Sequence, residues 1–217
     1  MKKYIAKPLF EAEVRAKDVP ALLDKAGIGF EKIAEANWST EFPYTPQVQF
    51  RLAYSGNHLL LHYQVEEDSV RAVAPTDNGR VWEDSCCEFF VSPVADNTYY
   101  NIECNCATRL LIGFGGSREG RIHAPEEVLR KVDRWSSLGH EPFEEKVGRC
   151  SWQLALVIPV DVFFRHTELS LKGKTLRANF YKCGDKLQQM HFLSWNPIDV
   201  PKPDFHRPDF FGEVVFQ

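Results

Sequence analysis

The chain has 217 residues, 44% of them hydrophobic, enough for a single β-rich domain spanning 1–217 with a sizeable core and no covalent staples. Its formal net charge is -4, with Lys and Arg scattered among Asp and Glu, so the basic footprint of a nucleic-acid or anionic-membrane binder is absent. No run of about 18 apolar residues offers a membrane helix, and the start MKKYIAKPLFEAEV lacks the apolar stretch of a signal peptide, so the chain is expected to be cytoplasmic unless a leader has been removed.

Taken in chain order, Val19–Ala26 predicts a short helix with Asp18 near its start. Val48–Ala53 and Leu59–Val65 alternate as strands around the turn Ser55–His58. Cys87–Ser92, Tyr99–Cys106 and Leu110–Phe114 follow as short runs rich in β-branched and aromatic residues. The weakly patterned segment Gly115–Gly148, which contains Trp135, reads as a connection across a sandwich with a helical turn or two at Ala124–Lys131. Trp152–Ile158 is a further strand, Val160–Arg165 another turn or two of helix, and Leu176–Lys182 and Gly212–Phe216 complete the set. Many short strands and few helices predict an all-β, antiparallel β-sandwich.

The stretch WEDSCCEFFVSPVADNTYYNIECNC, Trp82–Cys106, carries the chemistry. Side chains alternate along a strand, so Cys87, Phe89 and Val91 share one face, and Tyr100, Ile102 and Cys104 share the matching face of the next strand. Those faces belong to the core. The opposite faces carry Glu88, Phe90 and Ser92, and then Asn101, Glu103, Asn105 and, further on, Arg109. With Pro93–Thr98 as the turn, Glu88 falls opposite or diagonal to Glu103, and like charges so placed cost roughly 0.2–1 kcal/mol. Arg109, a bound cation or a ligand rich in hydroxyl donors are the candidates to offset that repulsion. The plainer expectation is a polar face in contact with water, as is common for antiparallel sheets.

The six cysteines are expected to be reduced, since Cys86 and Cys87 point to opposite faces and Cys104 and Cys106 lie on one face of a single strand. Cys87 and Cys104 can face each other as small buried hydrophobes. Cys-x-Cys and Cys-Cys spacings are not zinc knuckles, and the seven histidines form no metal-spaced set. No Gly-x-Ser-x-Gly elbow is present, and GFGGSREG, Gly113–Gly120, opens onto no long helix, so it reads as a loop.

Sugar binding needs flat apolar faces together with planar polar groups for paired hydroxyls. Trp82 precedes the first strand of the motif, and Trp195 sits in the loop-like stretch HFLSWNPIDV, where rings at strand ends stack on a ligand from rigid support. Taken singly, each Trp is more often a core residue than a platform. Trp38 and Trp152 belong to the core on either reading.

In order along the chain, Trp38, VWEDSCCEFFVSP, YYNIECNCATRLL, SWQLALVIP, TLRANFYKCGD, LSWNPI and the ending FHRPDFFGEVVF resemble the family 9 carbohydrate-binding modules, and most closely a single-domain, Bacteroidetes-type branch of them. The resemblance implies an immunoglobulin-like antiparallel sandwich with a few short helices and non-catalytic binding of a mono- or oligosaccharide end between two Trp rings, accessory to glycan catabolism. By position it assigns Trp82 and Trp195 to the rings, Glu88 to a strand carboxylate, and Asn101, Glu103, Asn105 and Arg109 to further hydrogen bonds. Typical members often carry structural calcium, for which the acidic loop around Asp96 is the candidate here; no other cofactor is implied. Two alternatives stand beside this reading: a glycoside-processing enzyme using Glu88 and Glu103, against which neither Glu shows an apolar pocket in the sequence, and a sandwich used for protein interaction or haem binding, for which no Met/His ligand pair stands out. The expected partner is a carbohydrate, with no nucleic acid and no membrane, and no pattern speaks to oligomeric state.

Overall fold

The computed structural model describes residues 1–11 and 13–217. Its strands are β1 (Lys3–Pro8), β2 (Glu31–Lys32), β3 (Gln47–Ser55), β4 (His58–Ala72), β5 (Cys86–Ser92), β6 (Tyr99–Asn105), β7 (Leu110–Gly115), β8 (Ile122–His123), β9 (Asp133–Ser136), β10 (Phe143–Pro159), β11 (Thr175–Cys183), β12 (Phe192–Ser194) and β13 (Gly212–Phe216). Two short helices, α1 (Val19–Lys25) and α2 (Glu126–Leu129), and a few 3-10 turns complete the described elements. Every strand expected from the sequence is present. β4 and β10 run well beyond the alternating cores Leu59–Val65 and Trp152–Ile158, and the expected helix at Val160–Arg165 is a single 3-10 turn, Val160–Val162. The segment 115–148 is more structured than a bare connection, since it supplies β8, α2, β9 and the start of β10.

The strands form one curled sheet in the order β8-β7-β6-β5-β11-β13-β1-β3-β4-β10-β9, with β12 added to β11 and β2 to β3. Pairing is antiparallel except at β1. Lys3–Ala6 run parallel to Glu213–Phe216, and Lys7 and Pro8 then run parallel to Ala53 and Tyr54. A single strand thus passes the ladder from one half of the sheet (β8 to β13) to the other (β3 to β9), and the two halves close on each other. Phe50 of β3 stacks on Phe180 of β11 with centroids 3.8 Å apart, and the Tyr63 hydroxyl of β4 donates to the Glu88 carbonyl of β5 at 2.9 Å. As the alternation predicts, Cys87, Phe89, Val91, Tyr100, Ile102 and Cys104 all enter this core.

The core also encloses charge. Lys182 of β11 lies 2.9 Å from Glu67 of β4, its Nζ is 2.6 Å from His191 Nε2, and Trp152 Nε1 donates to the other Glu67 oxygen at 2.7 Å. Burial works most strongly against the Lys182 charge, but Glu67, Cys87 and Cys183 together hold the lysine pKa above its ordinary value.

Trp195 belongs to this interior. It is 1% exposed and packs edge-on against Phe50 and Phe180, at 5.9 and 5.7 Å between centroids. The ring lies so close to β13 that a Cβ at Gly212 would come within 2.6 Å of it, which accounts for glycine there. Replacing Trp195 by Ala empties a large site held by two packed sheet halves and is expected to cost about 3–5 kcal/mol, read as a lowered denaturant midpoint.

On the outer face of the second half, α1 packs Val19 and Leu23 against Ala53, Leu60, Ala155 and Val157. Beneath it Arg51 Nε donates to His62 Nδ1 at 3.0 Å, and the Nε2 proton faces Gln153 Oε1 at 2.9 Å. Burial, and then the Arg51 charge, push the His62 pKa down to about 4. The unfolded chain therefore binds the extra proton between about pH 4 and 6.5, so this group's contribution to stability is complete above 6.5 and is lost as pH falls toward 4. His62→Gln is expected to remove up to about 3 kcal/mol of that decline, measured as the difference between wild-type and variant urea unfolding at pH 7 and pH 4.5.

Candidate functional site

The face of β5 and β6 turned away from the core is covered. Both strands are buried along nearly their whole length, because Phe90 and Tyr99 on that face, with Tyr181 of β11, pack into a second apolar cluster with Trp38, Val81, Phe205 and Phe211. The expectation of a wet polar face is overturned: the loops around residues 38–42, 74–82 and 198–211 bring enough apolar surface to close it. What remains open is a cavity of about 510 Å³ on that face.

Glu88 and Glu103 stand directly opposite each other in the β5–β6 ladder and are 3% and 4% exposed. Glu88 Oε1 accepts from the Cys183 thiol at 3.0 Å. Glu103 Oε1 accepts from Asn101 Nδ2 at 2.7 Å, while its Oε2 is buried without a partner among the described residues. Asn101 in turn accepts from Arg121 Nε at 2.7 Å. Arg121 is held by the Ser117, Tyr99 and Gly113 carbonyls, and its guanidinium lies over the Tyr99 ring at 4.2 Å. Gly113 faces Asn101 in the ladder, and a Cβ there would collide with the Asn101 amide oxygen, so glycine makes room for this relay.

Burial, and then the charge of Glu103, raise the Glu88 pKa well above the usual carboxylate range. Burial raises Glu103 to about 7 against the hydrogen bond from Asn101 and the charge of Arg121, and burial raises Asp185 to about 6. His206 is pushed the other way, to about 3, by burial and by Arg121 and Arg118, and so is neutral with its Nδ1 2.9 Å from the Tyr99 hydroxyl. The cavity therefore presents carboxyls able to donate as well as accept and a neutral imidazole, between the rings of Trp82, Phe90, Phe192 and Phe205. Phe205 is fixed by stacking on Tyr181 at 4.2 Å.

Of the residues the sequence singled out, Trp82, Glu88, Asn101 and Glu103 line the cavity. Trp195, Asn105 and Arg109 do not. Trp195 is in the core, so the slot between two Trp rings is not built from Trp82 and Trp195. Asn105 shapes the turn after β6, accepting from the Ala107 and Arg109 amides at 3.1 and 2.8 Å and donating to buried Asp84 at 2.9 Å. Arg109 lies beyond that turn, off the cavity lining, with a buried Nε that has no partner among the described residues. Arg121 stands nearest to that role. Asp96, the calcium candidate, spends its carboxylate on the Thr98 amide and hydroxyl and on His166.

Arg118, Arg121, Asp185, Asp204 and His206 line the cavity as well, and the sequence reading missed them. Their signals were faint: Arg118 and Arg121 sit in or beside GFGGSREG, whose only legible property was that it forms a loop, and Asp185 and His206 lie in irregular backbone where no period tells which way a side chain points. A larger cavity of about 680 Å³ lies by Gln49, Gln64 and Gln153. Among the described residues none of the buried polar atoms without a partner belongs to its lining, whereas Glu103 lines the smaller one, which is the candidate site.

Among curated protein sequences no relative matches this chain. A structure of a candidate carbohydrate-binding protein from Bacteroides uniformis is 55% identical, with a TM-score of 0.97 over 100% of this chain and 99% of the other. Two structures of a family 9 carbohydrate-binding module from Caldicellulosiruptor kristjanssonii share the fold alone. The one in complex with cellotriose is 11% identical, with a TM-score of 0.61 over 100% of this chain and 94% of its own. The one with glucose is 12% identical, with a TM-score of 0.58 over 100% and 96%. The model of carbohydrate-binding family 9 matches residues 17–216, nearly the whole chain, and the chain belongs to that family.

Proposed function

We propose that the cavity over β5 and β6 holds the end of a mono- or oligosaccharide without cutting it, as an accessory to glycan breakdown. The observation that carries this reading is the unpartnered Glu103 Oε2, buried beside Glu88 in a cavity walled by aromatic rings. An orphaned buried acceptor costs about 1–3 kcal/mol, which a ligand hydroxyl would recover. Trp82 supplies one platform for the sugar ring and Phe205, already fixed on Tyr181, the other. Glu88, Glu103, Asp185 and His206 read the hydroxyls, and Arg121 holds Asn101 and Glu103 in place. The family, and the cellotriose and glucose bound to the Caldicellulosiruptor modules, support a carbohydrate as the ligand.

One observation favours a second reading. Glu88 and Glu103 do lie in an apolar, buried setting, and a carboxyl near pH 7 in its pKa suits a general acid, so glycoside hydrolysis by this pair is the competing hypothesis.

Titration of intrinsic Trp fluorescence with glucose, cello-oligosaccharides and a panel of other sugars, with and without EDTA and with chromatography of the sugar afterwards, separates the two. A saturable change with intact sugar is expected, and loss of it in EDTA that added calcium restores would add calcium to the site. Trp82→Ala should weaken binding by about tenfold or more, the scale of losing 1–3 kcal/mol of stacking on a ring. Glu103→Gln, which replaces a carboxylate acceptor by an amide, should weaken it by about 10- to 100-fold at unchanged stability. A shortened sugar chain whose formation stops in Glu103→Gln would replace binding by hydrolysis, and silence across the panel would overturn both.

A further inference from the structure

One wall of the cavity carries a donor set of a different kind. Cys86 of β5 and Cys183 of β11 are direct partners across the ladder, and Glu88 lies two residues along β5 on the same face. One ligand atom from each, the two Sγ and a carboxylate oxygen, lie within 4.8 Å of one another, and all three residues are buried. Glu88 and Cys183 also line the cavity, whereas Cys86 does not.

We infer that Cys86, Glu88 and Cys183 form a binding site for a thiophilic divalent cation of the zinc or cadmium class, which Glu88 and Cys183 would place next to the cavity. Three protein ligands with one open position is the arrangement of a tetrahedral site that accepts an exogenous ligand. Two sulfur donors select against calcium and magnesium, which prefer all-oxygen shells. The cysteine spacing hides the site, because it joins strands almost a hundred residues apart in sequence and owes its geometry to the register alone. The Cys183 thiol donates to Glu88, so two of the three donors already share a proton. Loading exchanges protons for the cation: M²⁺ takes two thiolates and one carboxylate, and the two thiol protons, with the carboxyl proton when Glu88 carries one, leave to solvent.

The inference goes beyond sugar binding and can fail separately from it. Full-length protein, reduced with a non-chelating phosphine and stripped with chelator, is titrated with Co²⁺ and then with Zn²⁺. Expected are a thiolate-to-cobalt charge-transfer band and tetrahedral d–d bands that saturate at one equivalent per chain, are abolished by excess Zn²⁺, and accompany a raised Tm. Cys86→Ser should remove the charge-transfer band or reduce it severalfold, and Cys150→Ser, a half-buried thiol elsewhere, should leave it intact. If Cys86→Ser does not fold, Glu88→Gln and protection of Cys183 from alkylation by Zn²⁺ in the wild type test the same donors. No thiolate band at stoichiometric cobalt in folded, reduced wild-type protein overturns the site, as does a band left undiminished in Cys86→Ser or lost in Cys150→Ser. Cys86 lies off the cavity wall, so sugar affinity in Cys86→Ser reports on the sugar reading independently.

Discussion

Burial of β5, β6 and β11 on both faces is the constraint from which the rest of this molecule follows. A strand covered on one side needs only an alternating pattern, with water attending to its polar side chains. Covered on both, it must satisfy each polar group from within. Glu88, Asn101, Glu103 and Asn179 all lie on the face away from the main core and are buried. Asn179 is answered by the backbone of Asn196 and its own strand, and Asn101 by Arg121 and Glu103. The two glutamates are answered only in part, and the cavity lies over the part left open.

The same logic operates between the sheet halves, with another outcome. Lys182, Glu67, His191 and Trp152 bring a charge pair into the middle of the core and nearly close it with hydrogen bonds. Such a pair adds little net stability, since desolvation consumes most of the attraction, yet a register in which Lys182 faced Leu or Phe instead would strand a charge. The pair therefore disfavours slipped closures of the two halves more than it strengthens the correct one. His191, held neutral by burial and by the lysine beside it, accepts from Lys182 and adds no second positive charge.

What was legible in the sequence follows from period. Strands with a strict two-residue alternation announced themselves, and so did the inward set Cys87, Phe89, Val91, Tyr100, Ile102 and Cys104 and the opposition of the two glutamates. β1, β2, β8, β9 and β12 were not found: they are short or polar, and most lie at edges where the partner strand, not the local pattern, makes them β. Trp195 was misplaced because a Trp followed by Asn-Pro after a strand looks like a loop ring, and nothing local shows that Gly212, a strand away, makes a seat for it. Which loops fold over the outer face is likewise a long-range fact, and so Arg121, Asp185 and His206 were invisible as site residues.

The strand that passes the ladder between the halves also imposes an order of events. β1 pairs with β13, which follows it by about two hundred residues. The β3–β4 hairpin and the β5–β6–β7 meander join near neighbours and can form as they leave the ribosome, but β1 must wait beside β3 with one edge unpaired until Gly212–Phe216 has been synthesised. While the residues between β1 and β13 are being made, the nascent protein therefore carries an open parallel edge, available to chaperones and to a second copy of β13 alike.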